Sequence, residues 1–274
     1  MIQYPHSKIN LGLSILAKRQ DGFHDIDTVF YPVNLKDIVE ITASSKDDSE
    51  PIHFSHSGLN IPGDTSNNLC VKAYHLLKAD FHHLPAVQMH LHKMIPMGAG
   101  LGGGSSDGTA VLQILNSLFH LQLNKTQLIQ YAEKLGSDCP FFLFDQPCQA
   151  QGKGEILNPI AIDLSAYTLV LIHPQIHIPT PWAFQQITPC KKEKEIATII
   201  QQPLATWKQE LINDFEAPVM KAHPMIGSLK DELYAQGALY ASMTGSGSSL
   251  FGIFPKGFTW ALTPLTQQLR LDTF

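Results

Sequence analysis

The sequence predicts an α+β fold of two lobes with a ligand held between them. Strand-like runs crowd about the first sixty residues, and a glycine-rich run at 96–106 then joins a strand to an amphipathic helix. Pro-rich text from His177 to Pro189 separates the halves, and a second glycine loop follows it between two further strands. Strands and helices mixed in this order bury their apolar faces against one another in layers, and ligands sit where such lobes meet.

In chain order, strands are expected at Ile9 to Ala17, Thr28 to Val33, Asp37 to Ala43 and Ile52 to His56. A helix is expected after Asn67-Asn68, with Leu69, Ala73, Leu76 and Leu77 on one side. The residues from Ala86 to Ile95 alternate like a strand. Asp107 to Phe119 places Val111, Ile114, Leu115 and Leu118 on one helical face, with Ser105 and Ser106 as its expected caps. A second helix runs from Thr126 to Leu135 after a polar turn. Strands follow at Gln149 to Leu157 and Tyr167 to His173, then helices at Glu193 to Gln201 and Ile226 to Gln236. Strands at Ala238 to Met243 and Ser249 to Phe254 flank the second loop.

The 274 residues can bury a substantial core, and 44% hydrophobic with 16% charged residues fits a globular protein in water. A net charge of −5 argues against a general binder of nucleic acid or anionic membrane. A small phosphorylated ligand remains compatible, since backbone amides and a divalent cation supply positive field locally. No apolar stretch is long enough to span a bilayer, and the N-terminus carries no signal-peptide apolar region. Cys70, Cys139, Cys148 and Cys190 form no C-x-x-C pair, so reduced thiols and the cytoplasm are expected.

The chemistry starts at Pro96, Met97, Gly98, Ala99, Gly100, Leu101, Gly102, Gly103, Gly104, Ser105 and Ser106. Glycine lets the backbone approach a ligand closely, and a run of amides ending at a helix N-terminus suits phosphate. Gly98 to Gly103 matches G-x-G-x-x-G, but a dinucleotide site needs an acidic residue about twenty positions on, and His120 to Gln127 offers none. A Walker loop needs Lys after its last glycine, where Ser105 stands. Phosphate binding of another kind is the reading, against a flexible surface loop. The second loop, Met243 to Leu250, is either a glycine-rich hairpin or a second set of amides for the same polyanion.

Without a Walker lysine, the fixed cation must come from elsewhere. Lys8 and Asn10 lie two apart on a predicted strand, so they share a face turned to a polar cavity or to solvent, while Ile9, Leu11 and Leu13 point the other way. Asp138, in Gly136-Ser-Asp-Cys-Pro, either caps the next helical turn or accepts a proton from a substrate hydroxyl. His90 and His92 share a strand face, and a polar face is favoured over a zinc site; no protein metal site is expected.

These residues carry a resemblance. Ser7-Lys-Ile-Asn-Leu-Gly-Leu13, Asp21-Gly-Phe-His24, Pro96 to Ser106, Gly136-Ser-Asp-Cys-Pro-Phe141, Gln151-Gly-Lys-Gly-Glu-Ile-Leu157, Ile178-Pro-Thr-Pro181 and Thr244-Gly-Ser-Gly247 keep their order over nearly the whole chain. In them the chain resembles the GHMP kinase superfamily (galactose, homoserine, mevalonate and phosphomevalonate kinases), most specifically its cytidyl branch. The resemblance implies the two-lobed GHMP kinase fold, with an N-terminal lobe at 1–160, a C-terminal lobe at 161–274 and the active site in the cleft between lobes. It implies ATP-dependent phosphorylation of a hydroxyl on a cytidine-diphosphate-linked methylerythritol, in the non-mevalonate route to isoprenoid precursors. Pro96 to Ser106 would cradle the ATP phosphates, Lys8 would orient the reacting groups and Asp138 would act as base. Mg²⁺ would be held mainly through the phosphates.

For the substrate, the resemblance implies that His24 bonds cytosine and that Phe23 and Phe184 stack on it. Phe23 stands where the family often has Tyr, so a phenol contact is lost while stacking survives. Core packing is the alternative for both rings. Thr180 would touch the diphosphate or satisfy a turn, and Asn10 would bond substrate hydroxyls. The rival readings are another GHMP kinase, of homoserine or mevalonate type, and a catalytically silent nucleotide-binding homologue. Asp21 to His24 and Ile178 to Pro181 favour the cytidyl branch over the first; Lys8 with Asp138 argues against the second.

Overall fold

Twelve strands and eight α-helices order the chain in a computed structural model that describes residues 1–44, 50–267 and 269–274. The first six strands are β1 (Ile2–Gln3), β2 (His6–Lys18), β3 (His24–Lys36), β4 (Ile38–Ala43), β5 (Ile52–Gly58) and β6 (Val87–Lys93). The others are β7 (Cys148–Gly152), β8 (Ile156–Pro159), β9 (Tyr167–His173), β10 (Tyr240–Met243), β11 (Leu250–Pro255) and β12 (Arg270–Thr273). The helices are α1 (Leu69–Asp80), α2 (Gly103–Leu118), α3 (Lys125–Leu135), α4 (Thr180–Gln185), α5 (Ile196–Ile199), α6 (Trp207–Glu210), α7 (Glu216–Ala222) and α8 (Pro224–Ala235).

By contact the chain divides into two compact units. The first comprises Met1–Ser7, Asn34–Met97 and Gly102–Asp145; the second comprises Lys8–Val33, Gly98–Leu101 and Gln146–Phe274. These units interleave along the sequence, whereas the sequence reading drew a single division after residue 160. The reason is that most of β2 and β3, and the middle of the glycine run, pack with the C-terminal residues.

In the first unit a sheet of order β1-β4-β6-β5 carries three helices. Its apolar face sets Val39, Ile41, Met89 and Leu91 against Tyr74 and Leu77 of α1 and Val111, Ile114 and Leu115 of α2. The opposite face is polar: the Ser55 hydroxyl lies 2.8 Å from His90 Nδ1, and Ser57 lies 2.8 Å from His90 Nε2 and 2.9 Å from His92 Nδ1. Asn68 caps α1 by accepting from the Cys70 amide at 2.9 Å. At α3, Asn124 and Gln127 form a capping box, each side chain accepting the other's backbone N–H at 3.0 Å.

Helix α2 corrects the sequence reading. It opens at Gly103, four residues before Asp107, and Ser105 and Ser106 lie inside its first turn rather than capping it. Gly102 takes the cap position at φ 70 with no side-chain cap bond. A left-handed glycine turns the chain straight from the loop into the helix, a step the serines cannot make.

In the second unit an antiparallel sheet of order β10-β11-β9-β12 packs Val170, Ile172, Met243 and Phe254 against Val219, Ile226, Leu229 and Leu233 of α7 and α8. Met243 pairs with Leu250, so β10 and β11 are a hairpin whose loop is the second glycine run. The expected strand Gln149 to Leu157 is instead the hairpin β7–β8, turned by Gly152 (φ 66) and Gly154 (φ 111). It completes the sheet of order β2-β3-β7-β8. Strand β12 and the short helices α4, α6 and α7 were not anticipated, being too brief to show a period.

Replacing Asn124 by Ala removes one half of the capping box. A loss of about 1 kcal/mol in urea unfolding is expected; an unchanged midpoint would mean that α3 is held by packing alone.

Candidate active site

Three glycines of the first run, Gly98, Gly100 and Gly102, have φ of 61, 77 and 70, the left-handed region that disfavours any other residue. Within the second unit, Gly100 meets the second glycine loop. A Cβ there would lie 2.0 Å from the Thr244 carbonyl oxygen. The Thr244 hydroxyl donates to Gly100 O at 3.0 Å, and the Ser249 amide donates to Ala99 O at 3.3 Å. So the two loops touch, which the sequence alone left open; the hairpin and the shared-site readings of the second loop are compatible. Asn213, fully buried, fixes the second loop further by donating to Met243 O (2.8 Å) and Gly245 O (2.9 Å).

The same Thr244 hydroxyl accepts from the Asn10 amide at 3.0 Å. Lys8 and Asn10 are 3% and 1% exposed, which excludes the solvent-facing reading. Lys8 Nζ donates to Asn10 Oδ1 at 2.7 Å and stands 4.7 Å over the Phe30 ring. Asn10 Nδ2 donates in turn to Thr28 Oγ1 at 3.0 Å, and Thr28 Oγ1 to Gly12 O at 2.5 Å. The Lys8 amide donates to Leu101 O at 2.9 Å, so the strand that bears the cation is hydrogen-bonded to the glycine run. A buried ammonium bonded to an amide oxygen sits in a low-dielectric setting, where its field is stronger than in water.

In the first unit Asp138 precedes the short 3₁₀ turn Cys139–Leu143 and makes no side-chain cap bond to it. The capping alternative is therefore not realised, and the half-buried carboxylate is not spent on that turn. Cys139 is buried beside it, its thiol pushed up to about 12 by burial, so it remains a neutral neighbour. Along the start of α2, Gly103 and Gly104 differ. A Cβ at Gly103 would lie 2.8 Å from Ile95 Cγ2 and 3.0 Å from Lys93 Nζ, whereas one at Gly104 would meet nothing within 4 Å. Gly104 borders a cavity of about 220 Å³, lined also by Phe54, Asn68, Leu91, Met97 and Asp107. The first i to i−4 bond of the helix runs from the Ser106 amide to Gly102 O, so the amides of Gly103, Gly104 and Ser105 have no intrahelical acceptor.

Sequence reasoning missed the charged cluster beneath this turn. Lys93 is fully buried and donates to both Asp37 and Asp107 (2.6 Å to the latter). Burial opposes its charge, but Asp107 and Asp37 outweigh burial and raise its pKa. No short-range pattern links these three residues; Lys93 and Asp107 flank the motif, but Asp37 is distant in sequence.

The substrate candidates lie in the second unit. His24 stacks on Phe184 with centroids 4.8 Å apart at 17°, and Phe184 meets Phe215 edge-on at 4.9 Å. Phe184 therefore packs partly into the core. Phe23 is 53% exposed with Lys153 Nζ 4.9 Å over its ring, so core packing fails as its explanation. Burial, then Lys18, lowers the His24 pKa, which leaves a neutral imidazole with one donor and one acceptor. Thr180, exposed at the start of α4, pairs its hydroxyl with that of Ser246 at 3.0 Å.

Gly100→Ala places a methyl against the Thr244 carbonyl in a left-handed conformation. A loss above about 2 kcal/mol is expected in chemical unfolding; wild-type stability would show that the two loops move apart without cost.

The chain matches known proteins over most of its length. The pattern of the GHMP kinases N terminal domain fits residues 68–146, and that of the GHMP kinases C terminal fits residues 196–257. The chain is 49% identical to the 4-diphosphocytidyl-2-C-methyl-D-erythritol kinase of Bacteroides thetaiotaomicron, covering 94% of this chain and 93% of that one. It is 46% identical to the kinase of the same name from Cytophaga hutchinsonii, over 93% and 92% of the two chains. A solved 4-(cytidine 5'-diphospho)-2C-methyl-D-erythritol kinase superposes with a TM-score of 0.78 at 31% identity, over 92% of this chain and 90% of that one. Homoserine kinase from Cytophaga hutchinsonii shares the fold, with a TM-score of 0.67 at 16% identity over 98% and 93%. Collinear motifs, a fold built around two touching glycine loops and these identities agree: the chain belongs to the GHMP kinases, in the family of the 4-diphosphocytidyl-2-C-methyl-D-erythritol kinases.

Proposed function

We propose that this chain transfers the γ-phosphoryl group of ATP to a hydroxyl of the methylerythritol moiety of 4-diphosphocytidyl-2-C-methyl-D-erythritol, giving its 2-phosphate in the non-mevalonate route to isoprenoid precursors. One observation carries the reading: identity of 49% over 94% of the chain to a kinase of that name. Homoserine kinase, at 16% identity, shares the fold alone and so offers no competing acceptor.

In this reading Pro96 to Ser106 cradle the phosphates. The amides at the start of α2 and the helix dipole supply positive field there, and the cavity bordered by Gly104 receives the nucleoside. Lys8, aimed by Asn10, stabilises charge on the transferring group. The acceptor oxygen attacks phosphorus, the bond to the bridging oxygen of ADP breaks, and the hydroxyl proton passes to Asp138. Asn10 keeps a second amide hydrogen for a substrate hydroxyl. The loop's donors are amides and hydroxyls, matched to phosphate rather than to a cation, so Mg²⁺ takes its ligands mainly from phosphate and water. His24 reads the cytosine edge, Phe23 and Phe184 flank the base, and Thr180 faces the diphosphate. We place the enzyme in the cytoplasm; among the described residues no helix is long and apolar enough to cross a membrane.

Coupled ADP release tests the acceptor. Turnover with 4-diphosphocytidyl-2-C-methyl-D-erythritol is expected, and turnover with homoserine or mevalonate in its place would overturn the assignment. Asp138→Asn is expected to keep ATP affinity while kcat falls about 10²-fold or more; near-wild-type kcat would remove Asp138 from the chemistry. The two neighbouring glycines separate structure from binding. Gly103→Val should lose stability against Ile95 and Lys93, while Gly104→Val should fold normally and bind ATP more weakly by calorimetry; unchanged ATP affinity in the latter would move the nucleotide elsewhere.

A further inference from the structure

The outer face of the first unit's sheet carries a line of four side chains that the kinase chemistry does not use. Strands alternate their side chains, so His90 and His92 of β6 and Ser55 and Ser57 of β5 stand on the face opposite the helices. The parallel register sets Ser55 beside His90 and Ser57 beside His92. The hydroxyls and rings join in sequence. Ser55 Oγ lies 2.8 Å from His90 Nδ1, His90 Nε2 lies 2.8 Å from Ser57 Oγ, and Ser57 Oγ lies 2.9 Å from His92 Nδ1. Both serines are exposed and both imidazoles are half-buried, so solutes reach the hydroxyls while the rings are held.

Ser57 is the unusual member of the line. Its hydroxyl has one proton and stands between two imidazole nitrogens. With neutral rings, Ser57 donates to one of them while the other ring's N–H donates to Ser57. The far end of the line selects the direction. The Ser55 hydroxyl also donates to Met89 O at 3.5 Å, and a carbonyl only accepts. Ser55 therefore accepts from His90 Nδ1–H, which leaves His90 Nε2 bare to take the proton of Ser57. His92 then donates from Nδ1 to Ser57 Oγ. A nucleophile bonded to a base, with the base oriented by a third group, is the relation that activates a serine hydroxyl. Glu40 is exposed and stands opposite His90 in the β4–β6 register, where its charge favours the imidazolium formed when His90 takes a proton.

We propose that Ser57 is a covalent acylation site, with His90 as its general base and Ser55 as the positioning residue of His90. The acyl donors are small activated carboxylic esters, such as aryl acetates. Ser57 Oγ bonds to the carbonyl carbon as its proton passes to His90 Nε2. The bond from that carbon to the aryl oxygen then breaks, and the phenol leaves with the proton from His90. The products are acyl-Ser57 and a phenol. An open sheet face encloses little of the donor, so the donor has to be small and to carry a good leaving group.

The test treats the full chain with p-nitrophenyl acetate, follows p-nitrophenolate release and maps the acetyl groups by peptide mass spectrometry. Acetyl is expected on Ser57, together with a release phase that Ser57→Ala abolishes. An unchanged urea midpoint for Ser57→Ala is expected alongside, since the hydroxyl is exposed. His90→Gln removes the base and should slow acetylation of Ser57 about 10²-fold. His92→Gln keeps an N–H donor beside Ser57 and should acetylate at close to the wild-type rate. Acetyl confined to lysines and imidazoles, or spread evenly over exposed serines with Ser55 among them, would overturn the proposal. So would a Ser57 rate that His90→Gln leaves untouched. The map on wild type decides the site even if a variant fails to fold.

Discussion

The hydroxyl of Thr244 is the joint on which the second unit's chemistry depends. It donates to Gly100 of one glycine run while belonging to the other, and it accepts from the amide of Asn10 on β2. One buried hydroxyl thus fixes the separation of two glycine loops and the height of the strand that carries Lys8. Asn213 holds the far side of the same loop through two carbonyls. Each of these polar groups is buried and each is satisfied, which is the condition under which a polar network rigidifies a fold instead of weakening it. The left-handed glycines follow from that geometry, since a side chain at Gly100 would collide with the very residue that secures it.

A chain of net charge −5 that works on polyanions has to concentrate its positive field. Here the field is local in two ways. Helix α2 directs the amides of its first turn along its axis, and Lys8 is buried against an amide and an aromatic ring. Lys93 lies nearby in sequence to the loop but is consumed by two aspartates, so it contributes structure and not an anion-binding charge. The two lysines are the same residue in different surroundings: two aspartates meet Lys93, while an amide oxygen and an aromatic ring meet Lys8. Partner chemistry, not residue type, separates them.

The sequence made the fold legible wherever an element was long and periodic. β9 falls at Tyr167–His173 as expected, and α1 and α3 begin at polar turns as expected. It failed where backbone geometry replaced side-chain pattern: α2 begins on a left-handed glycine, and the β7–β8 hairpin turns through glycines inside what reads as one strand. For the candidate site, Lys8 and Asn10 were found because a period of two puts them together, and the structure adds that they are buried. Thr28, Thr244, Asn213 and the Lys93 cluster were not found, because their partners are distant in sequence. Asn10 and Thr244 are 234 residues apart, and Lys93 and Asp37 are 56 apart. Hydrogen bonds of that span leave no local signature.

The residues proposed to meet cytosine show how an aromatic substitution is to be weighed. Phe23 differs by one oxygen from the Tyr that the family resemblance implies there, and its ring is exposed, with Lys153 over one face. At so exposed a place a phenol would be bonded to water when no base is present, so a phenylalanine there leaves no buried group unsatisfied. Phe184 has no such latitude, being clamped between the face of His24 and the edge of Phe215. A neutral, stacked His24 would be the more exacting reader of a base in the proposed function, since its donor and acceptor lie on a ring whose plane is already set. In the proposed function the rigid His24–Phe184 pair would give base recognition its direction, and Phe23 would add contact area.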